Sequence, residues 1–384
     1  MSRLAPSNRS NIASFIAMDV MSEAKTLARS GADIVHLEVG EPGAPPPRAV
    51  REAAIAALSG GRVGYTEALG LPVLREAIAA DYKARYGVMV DPQRVVVTTG
   101  SSGGFILTFL SSLDQGARIG IPSPGYPAYR NILEALGIIP VEIETGPETR
   151  FALSARAIEA AHHAAPLDAV LLMSPANPTG VLTPADDVRA IAETCSRFGL
   201  WLVSDEIYHG LTYEGDEATA LQFSDDAIIV NSFSKYYCMT GWRVGWLVVP
   251  ERLLRPIERL QQNLSISVPY LSQIGATAAF QAQDELEQIK AGYARNRAIL
   301  LEALPRLGLP PLPMDGAFYA YCAIARYSND SMEFSRKALR EAGLAITPGL
   351  DFDRLNGQGF VRLSYAGSEA DIVKAVQRLE AWLA

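Results

Sequence analysis

The apolar run AIIVNSFS delivers Lys235, and Arg243 follows eight residues later within YYCMTGWRVG. An amine at the mouth of a buried strand is costly to keep charged. Desolvation lowers its pKa and makes it a nucleophile. Arg243 carries a planar fork that binds two oxygens of a phosphate at once. LWLVS delivers Asp205 in the same way, followed by Glu206 and, three residues later, Tyr208. A charged pair directly after four apolar residues serves equally well as a helix cap. AVLLMS runs into Pro175-Ala176-Asn177-Pro178-Thr179-Gly180, a turn that leaves the Asn177 amide at a strand's carboxyl end. RVVVTT runs into Gly100-Ser101-Ser102-Gly103 and then an apolar helix. Free N–H groups and the positive end of a helix dipole suit a phosphate there, although a plain strand–helix turn has the same sequence. Each feature has an ordinary structural reading. A phosphate turn, an acid, a lysine and an arginine at successive strand ends are hard to explain as structure alone.

The elements that must position these groups follow from the pattern. Residues 14–30 read as an amphipathic helix ending before Gly31, IVHLEVG as a short strand, and EPGAPPP as a rigid loop. From about residue 47 to 249, strands alternate with helices; the strands are RVVVTT, ARIGI, IIPVEI, AVLLMS, LWLVSD, AIIVNS and GWLVV. Short apolar runs bounded by turn residues are the mark of strands buried on both faces. The expected fold is therefore α/β, with a mostly parallel seven-stranded sheet flanked by helices. One long helical stretch over about 251–304, then GAFYAYCAI, a helix at 331–342, FVRLSYA and a last helix predict a smaller α+β domain. The expected divisions are an N-terminal arm and part of the small domain (1–46), a large domain (47–280) and a small C-terminal domain (281–384). In an open α/β sheet, ligands bind beyond the carboxyl ends of the strands, where the candidate side chains gather.

Composition excludes other classes. With 384 residues, 49% apolar and 20% charged, the chain reads as a two-domain globular protein. A net charge of -8 with no basic block argues against nucleic acid as a partner. Cys195, Cys238 and Cys322, with four histidines, form neither a metal site nor a disulfide framework, and a reducing cytoplasm is the expected location. The N-terminus does not read as a signal peptide, because Arg3, Arg9 and Asp19 lie among polar residues. The uncharged stretch Leu260 to Gln283 is too polar to span a membrane and reads as a loop running into a buried helix. Gly100-Ser101-Ser102-Gly103-Gly104 also fits a hydrolase nucleophile turn with Ser102 as the nucleophile. That chemistry needs a histidine late in the chain, and His209 is the last one.

Taken in order, these stretches resemble the class I aminotransferases, members of the fold-type I pyridoxal-phosphate enzymes. SFSKYYCMTGWRVG is similar to the family's cofactor-lysine signature. LEVGEPG resembles its N-terminal glycine loop, GYTEALGLPVLREAIA its tyrosine loop and helix, and TTGSSGG its phosphate turn. PSPGYPAY resembles the ring-stacking segment, SPANPTG the asparagine turn, and SDEIYHGLTY the aspartate–tyrosine segment. GAFYAY and FVRLSYA resemble a strand near the substrate and the strand of the carboxylate arginine. Cys238 departs from the pattern, which expects Gly, Ala or Ser there.

The resemblance implies that Lys235 holds pyridoxal 5'-phosphate as a Schiff base and moves the proton of the substrate Cα. It implies that Asp205 pairs with the pyridine N–H, that Tyr208 and Asn177 bond the ring's phenolic oxygen, and that Tyr126 stacks on the ring. Ser101, Ser102, Ser232, Ser234 and Arg243 are expected to hold the phosphate. Tyr65 is expected to reach it from a second subunit, so the implied unit is a homodimer with shared active sites. Arg362, with Gly40 and Asn177, is expected to bind the substrate α-carboxylate. Cis bonds are expected at Ser123–Pro124 and Asn177–Pro178.

The implied activity is transfer of an amino group from an L-amino acid to a 2-oxo acid. A second arginine for a side-chain carboxylate has no place in the pattern. Phe15, Ile16, Tyr65 and Tyr319 are candidates for an apolar pocket that would favour neutral or aromatic donors. The same scaffold serves carbon–sulfur β-lyases and cyclopropane-forming synthases, which the motifs do not separate from transaminases. Related domains also occur in transcription regulators behind a DNA-binding domain, and only about 30 residues precede the first strand here.

Overall fold

The computed structural model describes residues 4–384. The helices are α1 (Ile16–Arg29), α2 (Arg48–Ser59), α3 (Pro72–Tyr86), α4 (Gly100–Ser112), α5 (Pro127–Leu136) and α6 (Ala155–Ala164). They continue as α7 (Ala185–Phe198), α8 (Glu251–Leu264), α9 (Tyr270–Ala279), α10 (Gln283–Arg306), α11 (Ser331–Ala342) and α12 (Glu369–Leu383). The strands are β1 (Val35–His36), β2 (Val95–Thr98), β3 (Arg118–Ser123), β4 (Ile139–Glu144), β5 (Ala169–Met173) and β6 (Trp201–Asp205). After them come β7 (Ile228–Ser232), β8 (Gly245–Val248), β9 (Tyr319–Ala323), β10 (Leu344–Ala345), β11 (Thr347–Pro348) and β12 (Phe360–Ser364).

All seven strands expected between residues 94 and 249 join one sheet, in the order β2-β8-β7-β6-β5-β3-β4. It is parallel except for β8, which runs antiparallel to β2 and to β7. β2, β5, β7 and β8 are buried along their whole length, which accounts for their unbroken apolar runs. The edge strand β4 carries the exposed ends Ile139 and Glu144 and a more mixed sequence. Parallel register sets Met173 beside Asp205, and Asp205 beside Val230, so the carboxyl ends of β5, β6 and β7 lie together.

A second sheet, β11-β12-β9, is antiparallel and places Arg362 between Thr347 and Tyr321. Val361, Arg362 and Leu363 are all buried, so this strand has no solvent face to which the arginine could turn. β1 pairs in parallel with β10, which adds the N-terminal segment to the C-terminal elements.

The stretch expected to be helical over about 251–304, with a loop running into a buried helix within 260–283, is three helices. α8 ends at Leu264, Ile266 takes a positive φ of 65°, and Pro269 precedes α9. Proline has no N–H to continue a helix and keeps the residue before it extended. The Gln273 side chain secures this turn, accepting from Leu71 N at 2.8 Å and donating to Val268 O at 2.9 Å. The break at Phe280–Ala282 has no proline or glycine and so no local signal. Ser123–Pro124 and Asn177–Pro178 are cis as expected, and Ser174–Pro175 is a third cis bond.

Candidate active site

The loop between β7 and β8 carries Lys235. Its ends are tied by Phe233 N to Val244 O at 3.1 Å and Met239 N to Phe233 O at 3.0 Å. Cys238 N donates to Lys235 O at 3.1 Å, and Cys238 itself has a φ of 54°. That left-handed conformation disfavours large or branched side chains, which gives the position its preference for a small residue. The ammonium of Lys235 donates to Gly40 O at 2.5 Å. Burial, with Arg362 and Arg243 nearby, pushes its pKa down to about 8.

Asp205 closes β6 and is 2% exposed. The Tyr129 hydroxyl donates to its Oδ2, and Ile207 N donates to its Oδ1 at 3.1 Å. Burial raises this carboxyl from 3.8 to about 6, despite both hydrogen bonds. Such a group gains most from a cationic partner, because an opposite charge removes the penalty that burial imposes.

Tyr208 lies one turn beyond Asp205, and its hydroxyl is 2.6 Å from that of Tyr319. The Tyr319 hydroxyl in turn lies against Gly40, where any Cβ would overlap it. Glycine at position 40 is therefore required by close approach. Arg362 Nη1 donates to Asn177 Oδ1 at 2.9 Å, and Nη2 donates to Glu38 O at 2.5 Å. The guanidinium lies between two rings, 4.4 Å from the centroid of Tyr319 and 4.7 Å from that of Phe352. Its Nε is buried and unpartnered. A fork this well fixed, with a donor to spare, suits a carboxylate.

Beside the same cavity, α4 begins at Gly100, which has a φ of 68°. The Arg243 guanidinium lies so close over it that a Cβ there would overlap Nη2. Arg243 Nη1 also donates to Thr240 O at 3.0 Å. Ser101 is half-buried and Ser102 exposed, both in the first turn of α4. Backbone N–H groups, the helix dipole and a guanidinium thus converge on one spot.

These groups line one cavity of about 430 Å³. Lys235, Asp205, Tyr208, Asn177, Arg362, Gly40, Tyr126, Ser101, Ser102, Ser234 and Arg243 all contribute to its wall. No histidine does among the described residues. His209 is turned away, with Nδ1 2.7 Å from the Tyr86 hydroxyl, so Ser102 has no base for hydrolase chemistry.

The family profile "Aminotransferase class I and II" matches residues 32–379. The valine–pyruvate aminotransferase of Mycobacterium tuberculosis is 49% identical over 380 residues, covering 98% of this chain and 97% of its own. The aspartate/prephenate aminotransferase of Thermus thermophilus is 33% identical over 364 residues, 94% and 93% of the two chains. The crystal structure of an aminotransferase from Mycobacterium tuberculosis superposes with a TM-score of 0.97 at 47% identity, covering 100% and 99%. The chain belongs to the class I and II aminotransferases.

Two residues expected at the site of this aminotransferase lie outside the cavity wall. The Ser232 hydroxyl donates to Val244 O at 3.1 Å and lies 2.9 Å from Ser234 Oγ, behind the loop. Tyr65 is 83% exposed on the surface of the single chain. Of the apolar candidates, Phe15 and Tyr319 line the cavity, while Ile16 does not. Tyr129, Phe105, Met173 and Met18 line or support the site without having been singled out from sequence. Tyr129 lies three residues past Tyr126, one helical turn along α5, and that spacing is the signal that could have found it. No helix among the described residues is long and apolar enough to cross a membrane.

Proposed function

We propose that this aminotransferase uses pyridoxal 5'-phosphate and moves the amino group of a neutral or aromatic L-amino acid to a 2-oxo acid, with Lys235 as the cofactor lysine. The observation that carries this reading is the set of groups gathered on one cavity. An anion cradle at Gly100 and Arg243 is joined by a depressed lysine, a buried acid and a fixed guanidinium with a spare donor. The residues fit the cofactor: the cradle suits its phosphate, and Asp205 suits its ring nitrogen. When bound, pyridoxal phosphate supplies a cationic ring that accepts electron density from the substrate Cα.

The chain's own residues do the rest. Lys235, with a pKa near 8, is partly neutral at physiological pH and can take and return a proton at the substrate Cα. Asp205 supplies the negative charge that keeps a ring nitrogen protonated. Tyr126 offers a ring face, and Tyr208 and Asn177 offer a hydroxyl and an amide for the ring's oxygen. Arg362 fixes the plane of an α-carboxylate, and Asn177 Oδ1 holds the guanidinium in place.

Lys235, Arg243 and Arg362 are the cations among the described residues lining the cavity. Each has a role, so none is left for a side-chain carboxylate. Phe15, Ala17, Met18 and Phe105 supply apolar wall instead. The relative named valine–pyruvate aminotransferase supports a neutral donor. We place Tyr65 at the phosphate of a second subunit in a cytoplasmic homodimer; its exposure on the single chain is compatible with that role.

Borohydride reduction of the holoenzyme, followed by peptide mapping, should leave the cofactor mass on Lys235. A tag on another lysine would overturn the assignment. A screen of the twenty amino acids with pyruvate and 2-oxoglutarate as acceptors should find neutral or aromatic donors ahead of aspartate and glutamate.

A further inference from the structure

Part of the apolar wall of the cavity comes from the start of α1, through Phe15, Ala17 and Met18. This helix has no cap of its own. Phe15 occupies the N-cap position, where a hydroxyl, amide or carboxylate side chain normally accepts from the first free N–H groups. The missing acceptor comes from the other end of the chain. Ile16 N donates to Asp351 Oδ1 at 3.2 Å and Ala17 N to Asp351 Oδ2 at 3.0 Å. The carboxylate is 2% exposed, and its charge opposes the positive end of the α1 dipole.

Asp351 belongs to a 3₁₀ turn, Gly349–Asp351, that follows β11 directly. β11 places Thr347 beside Arg362. Phe352, the next residue, stacks on the Arg362 guanidinium and accepts from Gly125 N at 3.0 Å. The same turn therefore touches the carboxylate anchor, the Tyr126 segment and the start of α1. The Arg130 guanidinium fixes it from a third direction, donating to Asp351 O at 3.3 Å while pairing with Glu142 at 3.1 Å. Phe15 meets the edge of Tyr126 at 5.7 Å, which continues the wall toward the place where Tyr126 offers its ring.

We propose that Asp351 is a positioning residue for donor selection: by capping α1 from a distance, it sets the spacing between Arg362 and the apolar wall that meets the donor side chain. This inference rests on the donor reading above. A donor whose carboxylate sits on Arg362 extends its side chain toward Phe15 and Met18 only when it is long enough. On this proposal alanine ends short of that wall, and leucine and phenylalanine reach it. Losing the cap lets the first turn of α1 fray, and the loss falls on the long donors.

The test compares Asp351→Ala and Asp351→Asn with the wild-type holoenzyme on alanine, leucine and phenylalanine. The ratio of kcat/KM for leucine over alanine should fall roughly tenfold in Asp351→Ala, mostly through KM, as loss of a helix cap permits. Asp351→Asn keeps one acceptor oxygen and should recover part of the ratio. Hydrogen exchange at the Ile16 and Ala17 amides of the cofactor-free protein should quicken in the same order. Faster exchange with an unchanged ratio would show a purely structural cap and overturn the proposal, as would unchanged exchange. If Asp351→Ala does not fold, Asp351→Asn decides by the same two measurements. Wild-type protein inactive with every neutral donor would instead overturn the donor reading, and selectivity by Asp351 would fall with it, while exchange still reports on the cap.

Discussion

Arg362 is 2% exposed, donates to Asn177 and to Glu38 O, and lies between two aromatic rings. Arg243, on the wall of the same cavity, is exposed and donates to Thr240 O within its own loop, so the two mark a buried inner end and an exposed rim. Both present a guanidinium to the cavity, yet their surroundings assign different tasks. A buried charge whose partners are all fixed cannot relax when its geometry changes, so the inner end depends on one fork. The rim offers Arg243, the first turn of α4 and three serines; Arg243 and Ser102 are exposed, where water can replace a missing partner, and Ser234 is buried. We therefore expect the inner end to read a shape and the rim to hold a charge.

Asp205 lines the same cavity, and its replacement should have the largest effect. Asp205→Asn keeps the size but removes the charge that holds a ring nitrogen protonated, so kcat should fall on the order of 10³-fold. Stability should move the other way. The folded carboxyl binds protons more tightly than the unfolded one, at about 6 against 3.8. Its contribution to the cofactor-free protein is therefore present below about pH 4 and lost as pH rises through about 6. Asparagine does not titrate, so cofactor-free Asp205→Asn should show a flatter fall in Tm across that window. A matching fall in both proteins would remove the buried charge as its cause.

Arg362→Lys comes next. Lysine keeps the charge but cannot reach Asn177, Glu38 O and a carboxylate in one plane. We expect kcat/KM for amino acids to fall about 10²-fold, with little change for a simple amine that lacks a carboxylate. Equal losses for both substrate types would mean that Arg362 serves the fold or the cofactor, and the contrast with Arg243 would lose one side.

The two ends should also differ in their hold on Lys235. Its pKa of about 8 owes most to burial, then to Arg362, with Arg243 a smaller influence. Capture of pyridoxal phosphate by the cofactor-free protein requires the neutral amine. Its rate should rise with pH, level off above about 8, and follow the fraction of neutral lysine. Arg362→Met should move that break upward more than Arg243→Met does. The reverse order would place the stronger field at the rim.

The sequence carried the parts of this arrangement that lie along single strands. Lys235, Asp205 and Asn177 were legible because each ends or closely follows an apolar strand, and it was their succession, more than any one of them, that ordinary structure did not explain. The seven strands were legible as unbroken apolar runs. Sheet order and the reversal of β8 were not, since pairing is decided across the fold. The breaks between α8, α9 and α10 were half visible: Pro269 marks the first, and the second has no local sign. Contacts between distant segments were beyond reach. Nothing near Phe15 announces a cap from Asp351, and nothing in GAFYAY announces that Tyr319 bonds Tyr208 at 2.6 Å. Ser232 shows the converse, a residue whose motif points to a ligand while its hydroxyl lies 2.9 Å from Ser234 Oγ and 3.1 Å from Val244 O.

The smallest effect expected is that of Arg243→Lys on cofactor affinity. The charge remains, and the start of α4 still offers backbone N–H groups and its dipole to the phosphate. Ser101, Ser102 and Ser234 remain in the cavity wall, and solvent can fill the place of one lost N–H. What disappears is the second prong of the fork. Absorbance titration of the cofactor-free protein with pyridoxal phosphate should then give a Kd raised roughly fivefold, the worth of one exposed charge-assisted bond. Gly100→Ala should cost more than Arg243→Lys, although it removes no charge. Gly100 has a φ of 68°, and its Cβ would occupy the space of the Arg243 guanidinium, so one methyl disturbs both the helix start and the arginine. A loss of 10²-fold or more in Arg243→Lys, with Gly100→Ala nearly silent, would mean that the rim reads its ligand through one fork as the inner end does. The two arginines would then differ in exposure alone.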